Sequence, residues 1–215
     1  DGNGRWGLKK YNSRLIGHEF GVKNIEKIVI FCLKRNVRNL TLFALSHDNL
    51  KKRDKVEIKN IFSLLEKYLK NNIHFFINNK IKLNFIGESK NLSFKIQNIL
   101  KEYKQRTDTS KKKLLINIAF NYSSKLEIIN SLEQIKKKKL KINKKNILKY
   151  LYTGFIKDPE ILIRTGGFSR LSDFMLWQCS YTEFFFSKKL WPDFKNKDLE
   201  KIIKKFNNLD RKFGS

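Results

Sequence analysis

The sequence has 215 residues, 40% of them hydrophobic and 13% aromatic, which is enough for a buried core in one domain and too apolar for a disordered chain. Its 47 basic and 20 acidic residues leave a formal charge of +27, pointing to a polyanionic or phosphorylated partner, and no apolar run approaches the ~18 residues of a membrane-spanning helix. Cys32 and Cys179 lack the close spacing of a zinc or redox motif and read as reduced core residues; with no apolar secretory segment at the start, a cytoplasmic setting is expected.

The chain opens on Asp1-Gly2-Asn3-Gly4-Arg5-Trp6, a carboxylate, two glycines and a guanidinium in one turn. Consecutive N–H groups in such a turn can surround an anion, Arg5 can grip phosphate oxygens in pairs, and Asp1 could hold Mg2+ against the same phosphates. A surface turn with a capping Asp suits these residues equally. Helical spacing follows over 14–35 through Leu15, Phe20, Ile25, Ile28, Val29 and Cys32. On that helix Arg14 and His18 stand four apart, with Gly17 keeping the face low; they either extend the cradle or form an ordinary polar face.

Residues 39–45 read as a short buried strand, 56–77 as a long and unusually apolar helix, and 81–86 as a strand closing at Gly87. Then come a helix over 92–103, a strand over 114–120, a helix over 125–135, a short helix over 147–152 and a brief strand over 161–163. The lysine runs 111–113 and 136–139 carry no interleaved aromatics and read as solvated flanks, so no nucleic-acid partner is expected. Alternating helices and strands predict an α/β fold in a single domain, with a central, mostly parallel sheet flanked by helices. Ligands of such sheets bind beyond the strands' carboxyl ends, here after Leu45, Phe120 and Ile163.

After the last of these, Ile163-Arg164-Thr165-Gly166-Gly167 leads to Arg170, Ser172 and Asp173, delivering two arginines and a hydroxyl around a glycine turn suited to a second phosphate or diphosphate. An apolar helix over 174–178 is expected to anchor this loop. Glu183 and Trp191-Pro192-Asp193-Phe194 close the region, its tryptophans and phenylalanines reading as core.

These motifs in this order, together with Ser46, Asn49, Asn117 to Tyr122 and Leu190 before Trp191, resemble the cis-prenyltransferases, and most closely the bacterial undecaprenyl diphosphate synthases, almost from end to end. The resemblance implies a homodimeric, Mg2+-dependent transferase that adds isopentenyl diphosphate repeatedly to farnesyl diphosphate, the product serving as a lipid carrier for cell-wall glycans. It implies an apolar tunnel between sheet and helices, for which the 56–77 helix is a wall or simply core. A lipid product together with the cationic surface makes peripheral contact with the inner membrane surface a reasonable expectation. By resemblance, Asp1 is catalytic and binds the metal with help from Glu183. Gly2, Asn3, Gly4, Arg5, Trp6, Arg14 and His18 hold the allylic diphosphate. Arg164, Arg170 and Ser172 hold that of isopentenyl diphosphate, and Ser46 and catalytic Asn49 lie near the reacting carbons. The proton acceptor stays open between such groups and the leaving pyrophosphate.

The chain also departs from that pattern. The family places a buried strand before the aspartate, so this chain is expected to lack its first strand. Phe168 and Ser169 stand where bacterial members carry an acidic residue and a histidine, Leu50 replaces a tryptophan, and Ser123-Ser124-Lys125 replace a Gly-Gly-Arg-like turn. Either Lys52 or Arg53 supplies the next basic residue, and Arg211 and Gly214 resemble a tail motif. Two other readings follow from these departures and from the charge: a non-catalytic partner subunit of the same fold, and, ranked last, a basic nucleic-acid-binding protein.

Overall fold

The structure, a computed structural model, describes residues 1–90 and 92–211, so Gly214 of the tail motif lies outside the described residues. The chain divides into two compact units, one of residues 1–35, 158–171 and 178–215, the other of 36–157 and 172–177.

The first unit is built on two crossing helices, α1 (Asn3–Tyr11) and α2 (Arg14–Lys34). The opening motif is therefore a helix start and not a free turn. Gly2, left-handed at φ 113°, caps it, and Trp6 N donates to the Gly2 carbonyl at 2.9 Å. Low-propensity glycines at 2, 4 and 7 hide this helix from a sequence reading, but packing overrides propensity. Gly7 and Gly17 meet where the helices cross: a Cβ on Gly17 would lie 2.0 Å from the Asn3 carbonyl oxygen, and one on Gly7 would lie 2.2 Å from that of Ser13. Ser13 starts α2 by accepting a hydrogen bond from Ile16 N at 3.4 Å. Ile28, Val29, Phe31 and Cys32 give α2 its buried apolar face. Further along, Asn24 donates its amide to the carbonyls of Trp191 (2.7 Å) and Phe194 (2.9 Å), while the Trp191 indole donates to the Gly21 carbonyl at 2.8 Å. These bonds tie the 3-10 turn Trp191–Asp193 to α2. Strands β4 (Ile161–Arg164) and β5 (Glu183–Phe186) pair in parallel, and α8 (Asn196–Asn207) ends the unit.

The second unit carries a parallel three-stranded sheet in the order β1 (Asn39–Ser46), β3 (Leu114–Tyr122), β2 (Ile81–Ile86). Parallel neighbours need crossovers, supplied by α4 (Lys55–Asn78) and α5 (Phe94–Arg106), with the short α3 (His47–Lys52) directly after β1. All nine residues of β3 are buried, as suits a central strand covered on both faces. Asn117 at its midpoint is in register with Asn84 and Thr41, accepting from the Asn84 amide at 2.9 Å and donating to the Thr41 hydroxyl at 3.4 Å. This polar ladder satisfies two buried amides that would otherwise carry a desolvation cost, and any slip of register would break it.

Buried Ile58, Leu69, Ile73 and Phe76 line α4, and Phe62 packs on Phe120 with ring centres 5.4 Å apart. The unit is completed by α6 (Ser124–Lys137) and α7 (Lys144–Tyr150). Buried Glu127 on α6 accepts from the Tyr122 hydroxyl at 2.5 Å and from Tyr152 N at 2.7 Å; burial and this carboxylate push the Tyr122 hydroxyl pKa up.

The expected 174–178 helix does not form. Ser172, Asp173 and Met175 are left-handed at φ 53°, 61° and 49°, a conformation that interrupts a right-handed helix. Asp173 accepts from the Ser123 hydroxyl and from Lys125 N, and Leu176 N donates to Ser124 Oγ at 2.9 Å, so the start of α6 shapes this segment. All strand pairings are parallel, as expected, but they fall into two sheets, one in each unit.

Candidate active site

The first unit gathers charge at the carboxyl end of β4. Arg164, the last residue of that strand, donates to the Asp1 carboxylate at 3.0 Å, and Arg5 stands 3.6 Å from the other oxygen. Thr165 donates its hydroxyl to the Asp1 carbonyl at 2.9 Å, and the same carbonyl accepts from Trp191 N at 3.0 Å, so Asp1 is held by backbone as well as by charge. The glycine turn follows, with Gly166 and Gly167 at φ 95° and 83° and their N–H groups donating to the Lys189 and Ser187 carbonyls. A Cβ on Gly166 would lie 2.6 Å from the Arg5 guanidinium, which donates to the Gly166 carbonyl at 2.7 Å; only glycine admits that approach. Arg164 also donates to the Arg170 carbonyl, closing the loop on itself.

Two guanidiniums, those of Arg5 and Arg164, thus share the Asp1 carboxylate. Burial, and then the neighbouring Arg5 charge, pull the Arg164 pKa below its ordinary value. The first turn of α1 adds to the positive charge here. No side chain caps that helix and no acidic residue lies in its first turn, so its N–H groups and dipole favour an anion. The Arg14 guanidinium lies beside this turn, 3.0 Å from where a Gly4 Cβ would be, and His18 follows one helical turn later on α2. Asp1, Gly4, Arg5, Arg14, Arg164 and Arg170 therefore belong to one unit, a grouping suited to an anion.

Other expected residues take different parts. Trp6 is buried, its ring 4.8 Å from that of Phe20 and 5.6 Å from that of Tyr11, so it packs the helix pair and does not line a substrate surface. The Asn3 side chain sits against Gly21, with its buried Oδ1 lacking a hydrogen-bond partner. Glu183 is paired in register with Ile161, three residues before Arg164, which places it about 10 Å along the sheet from the Asp1 end. It lies instead 3.6 Å from Arg211, so the expected Asp1 and Glu183 metal pair is not assembled within this chain.

In the second unit, Ser46 caps α3 by accepting from Asn49 N at 3.1 Å, with Asn49 exposed, while Ser172 opens the left-handed segment. Here the sequence reading overlooked His47, which shares a 2.9 Å hydrogen bond with Asn121. Asn121, left-handed at φ 52°, donates in turn to the Glu88 carbonyl at 2.6 Å. These residues lie at or just past the carboxyl ends of the three strands; the signal was their position, since nothing in their spacing marks them.

Among the described residues no group of three or more His, Cys, Asp or Glu side chains could enclose a metal. One carboxylate beside an anion site still fits Mg2+, a cation that takes one or two carboxylates and completes its shell with water and substrate phosphates. Asp1 would be that ligand, with the metal arriving on a diphosphate.

The fold is that of an α/β protein with parallel strands, and a cluster of arginines beside Asp1 suits an anion. The family model described as putative undecaprenyl diphosphate synthase matches residues 1–214, and the chain belongs to that prenyltransferase family. Isoprenyl transferases from Clostridium tetani and Fusobacterium nucleatum are 40% and 37% identical to it over its full length, covering 86% and 92% of their own. A probable undecaprenyl diphosphate synthase from Campylobacter jejuni, solved by crystallography, superposes with a TM-score of 0.83 at 36% identity, over 91% of this chain and 92% of that one. Lavandulyl diphosphate synthase from Lavandula x intermedia, solved with dimethylallyl diphosphate, gives 0.93 at 26% identity, over 100% and 95%. Prenyl transfer is the chemistry of this chain.

Proposed function

We propose that the chain condenses isopentenyl diphosphate repeatedly onto farnesyl diphosphate to make a long cis-polyprenyl diphosphate, undecaprenyl diphosphate, a lipid carrier for cell-wall glycan synthesis. The observation that carries this reading is the meeting of Asp1, Arg5, Arg164 and Arg170 beside a helix start that no side chain caps, a surplus of positive charge suited to diphosphates. The α1 turn with Arg5 and Arg14 holds the allylic diphosphate, and Arg164 with Arg170 holds that of the isopentenyl unit. Positioning and charge stabilisation then do most of the work. The bond from allylic C1 to the diphosphate oxygen breaks, C1 bonds to C4 of the isopentenyl unit, and a proton leaves C2 as the new double bond forms. Arg5 and Arg14 stabilise the departing pyrophosphate. When bound, Mg2+ supplies further neutralisation of that leaving group, with Asp1 as its protein ligand.

The hydrocarbon product needs apolar surface, and the second unit has it in Ile61, Phe62, Leu64 and Leu65 of α4, all half-buried on one stretch of helix. A charge of +27 and a lipid product support work at an anionic membrane surface, and the homodimer rests on the family resemblance. Incubation with radiolabelled isopentenyl diphosphate, farnesyl diphosphate and Mg2+ is expected to give a butanol-extractable product whose length chromatography reads. Absence of incorporation by the folded protein would refute the reading. Mg2+ is further expected to tighten binding of a non-hydrolysable allylic diphosphate analogue, and an affinity indifferent to Mg2+ would remove it from the scheme.

A further inference from the structure

The three arginines of the anion centre share one more neighbour. The Arg170, Arg5 and Arg164 guanidinium carbons lie 4.2, 4.9 and 5.6 Å from the centre of the Phe168 ring. The ring is 38% exposed, so core packing does not account for it. Its backbone follows directly on Gly166 and Gly167, whose N–H groups are tied to Lys189 and Ser187, so the ring is presented from a pinned turn. An aromatic face attracts cations through its quadrupole and carries no formal charge. It can therefore gather mutually repelling guanidiniums while leaving their charge unspent, whereas a carboxylate at the same place would neutralise one of them.

We propose that Phe168 is a positioning residue: its ring organises Arg5 of the allylic pocket and Arg164 and Arg170 of the isopentenyl pocket into one preformed receptor for the paired diphosphates and sets its affinity through cation–π contact. The proposal rests on the diphosphate-binding reading above and adds a residue that touches no reacting atom. It makes the quadrupole of the ring, and not its volume, the property that matters.

The test is calorimetric titration of the full chain with inorganic pyrophosphate, using wild type, Phe168→Leu, Phe168→Tyr and a series in which Phe168 is replaced by mono-, di- and trifluorophenylalanine of nearly constant shape. Phe168→Leu is expected to bind pyrophosphate about tenfold more weakly, Phe168→Tyr to retain affinity, and the fluorinated series to weaken stepwise as the ring loses its negative face. KM for isopentenyl diphosphate is expected to rise in the same order. If wild type binds pyrophosphate but the leucine and fluorinated forms bind it equally well, the role of Phe168 is overturned and the diphosphate site stands. If wild type does not bind pyrophosphate, the diphosphate reading falls and this inference with it. The fluorinated series keeps the test decisive should the leucine variant fold poorly.

Discussion

Replacing Gly17 by Ala inserts one methyl group at the crossing of α1 and α2. That methyl would lie 2.0 Å from the Asn3 carbonyl oxygen, 2.8 Å from Gly7 N and 2.9 Å from the Asn3 carbonyl carbon. All three are backbone atoms, so no side chain can swing aside, and the start of α1 must retreat by more than about 1 Å to reach ordinary contact. Overpacking of this kind costs about 2–3 kcal/mol, which for a chain of this size lowers the melting temperature by about 4–12 °C. The retreating segment carries Asp1 and Arg5 away from Arg164, and a displacement of that size at a reacting centre costs about 100-fold in kcat/KM. Thermal unfolding followed by circular dichroism and steady-state prenyl transfer read the two effects. Gly4→Ala is the control, because its methyl meets first the flexible end of Arg14, at 3.0 Å, and is expected to disturb binding more than stability. A Gly17→Ala protein that melts and turns over like wild type would refute the close crossing and its link to the site.

Arg164→Ala leaves the Asp1 carboxylate with Arg5 at 3.6 Å as its neighbour and removes a charge-assisted donor, so pyrophosphate is expected to bind about 10- to 150-fold more weakly by calorimetry. Lysine there should restore only part of the loss, since it offers a point charge in place of a fork. Asn24→Leu strips the buried carbonyls of Trp191 and Phe194 of their amide donor and is expected to cost about 2–4 kcal/mol in urea unfolding; a neutral change would show that the 3-10 turn is held by packing alone. Burial pushes the Cys32 thiol from its ordinary 9.0 up to about 11. The folded state therefore keeps the proton that the unfolded state gives up first: this stabilisation is complete below pH 9 and is lost as pH rises through about 11, by up to about 3 kcal/mol. Cys32→Ala should flatten that alkaline slope, and native Cys32 should react with a thiol reagent far more slowly than the unfolded chain.

Periodicity served well where one rule governed a segment. Strand β2 runs Ile81–Ile86 between a helix end and Gly87, with its bounds as expected, and α2 and α4 differ from their expected spans by a residue or so. Strand β3 continues two residues further than expected because Ser46 still pairs with Tyr122. What escaped was set by contacts remote in sequence. Helix α1 forms against the propensity of its glycines because those glycines allow it to lie on α2. The 174–178 segment reads as an apolar helix, yet Asp173 is engaged by Ser123 and Lys125 from 50 and 48 residues away. At the site, the motifs around Asp1 and Arg164 announced phosphate chemistry, but spacing alone could not show that parallel pairing carries Glu183 to the opposite end of β4, or that Phe168 sits among the arginines.

A double-mutant cycle on Arg5 and Arg164, titrated with pyrophosphate, probes the shared anion centre most directly. Arg5→Ala and Arg164→Ala are each expected to weaken binding, and the double variant to lose clearly less than the product of the two factors, since both guanidiniums face the Asp1 carboxylate and couple their adjoining pockets through it. Independent effects, or binding indifferent to both changes, would mean that these residues do not form one coupled anion centre.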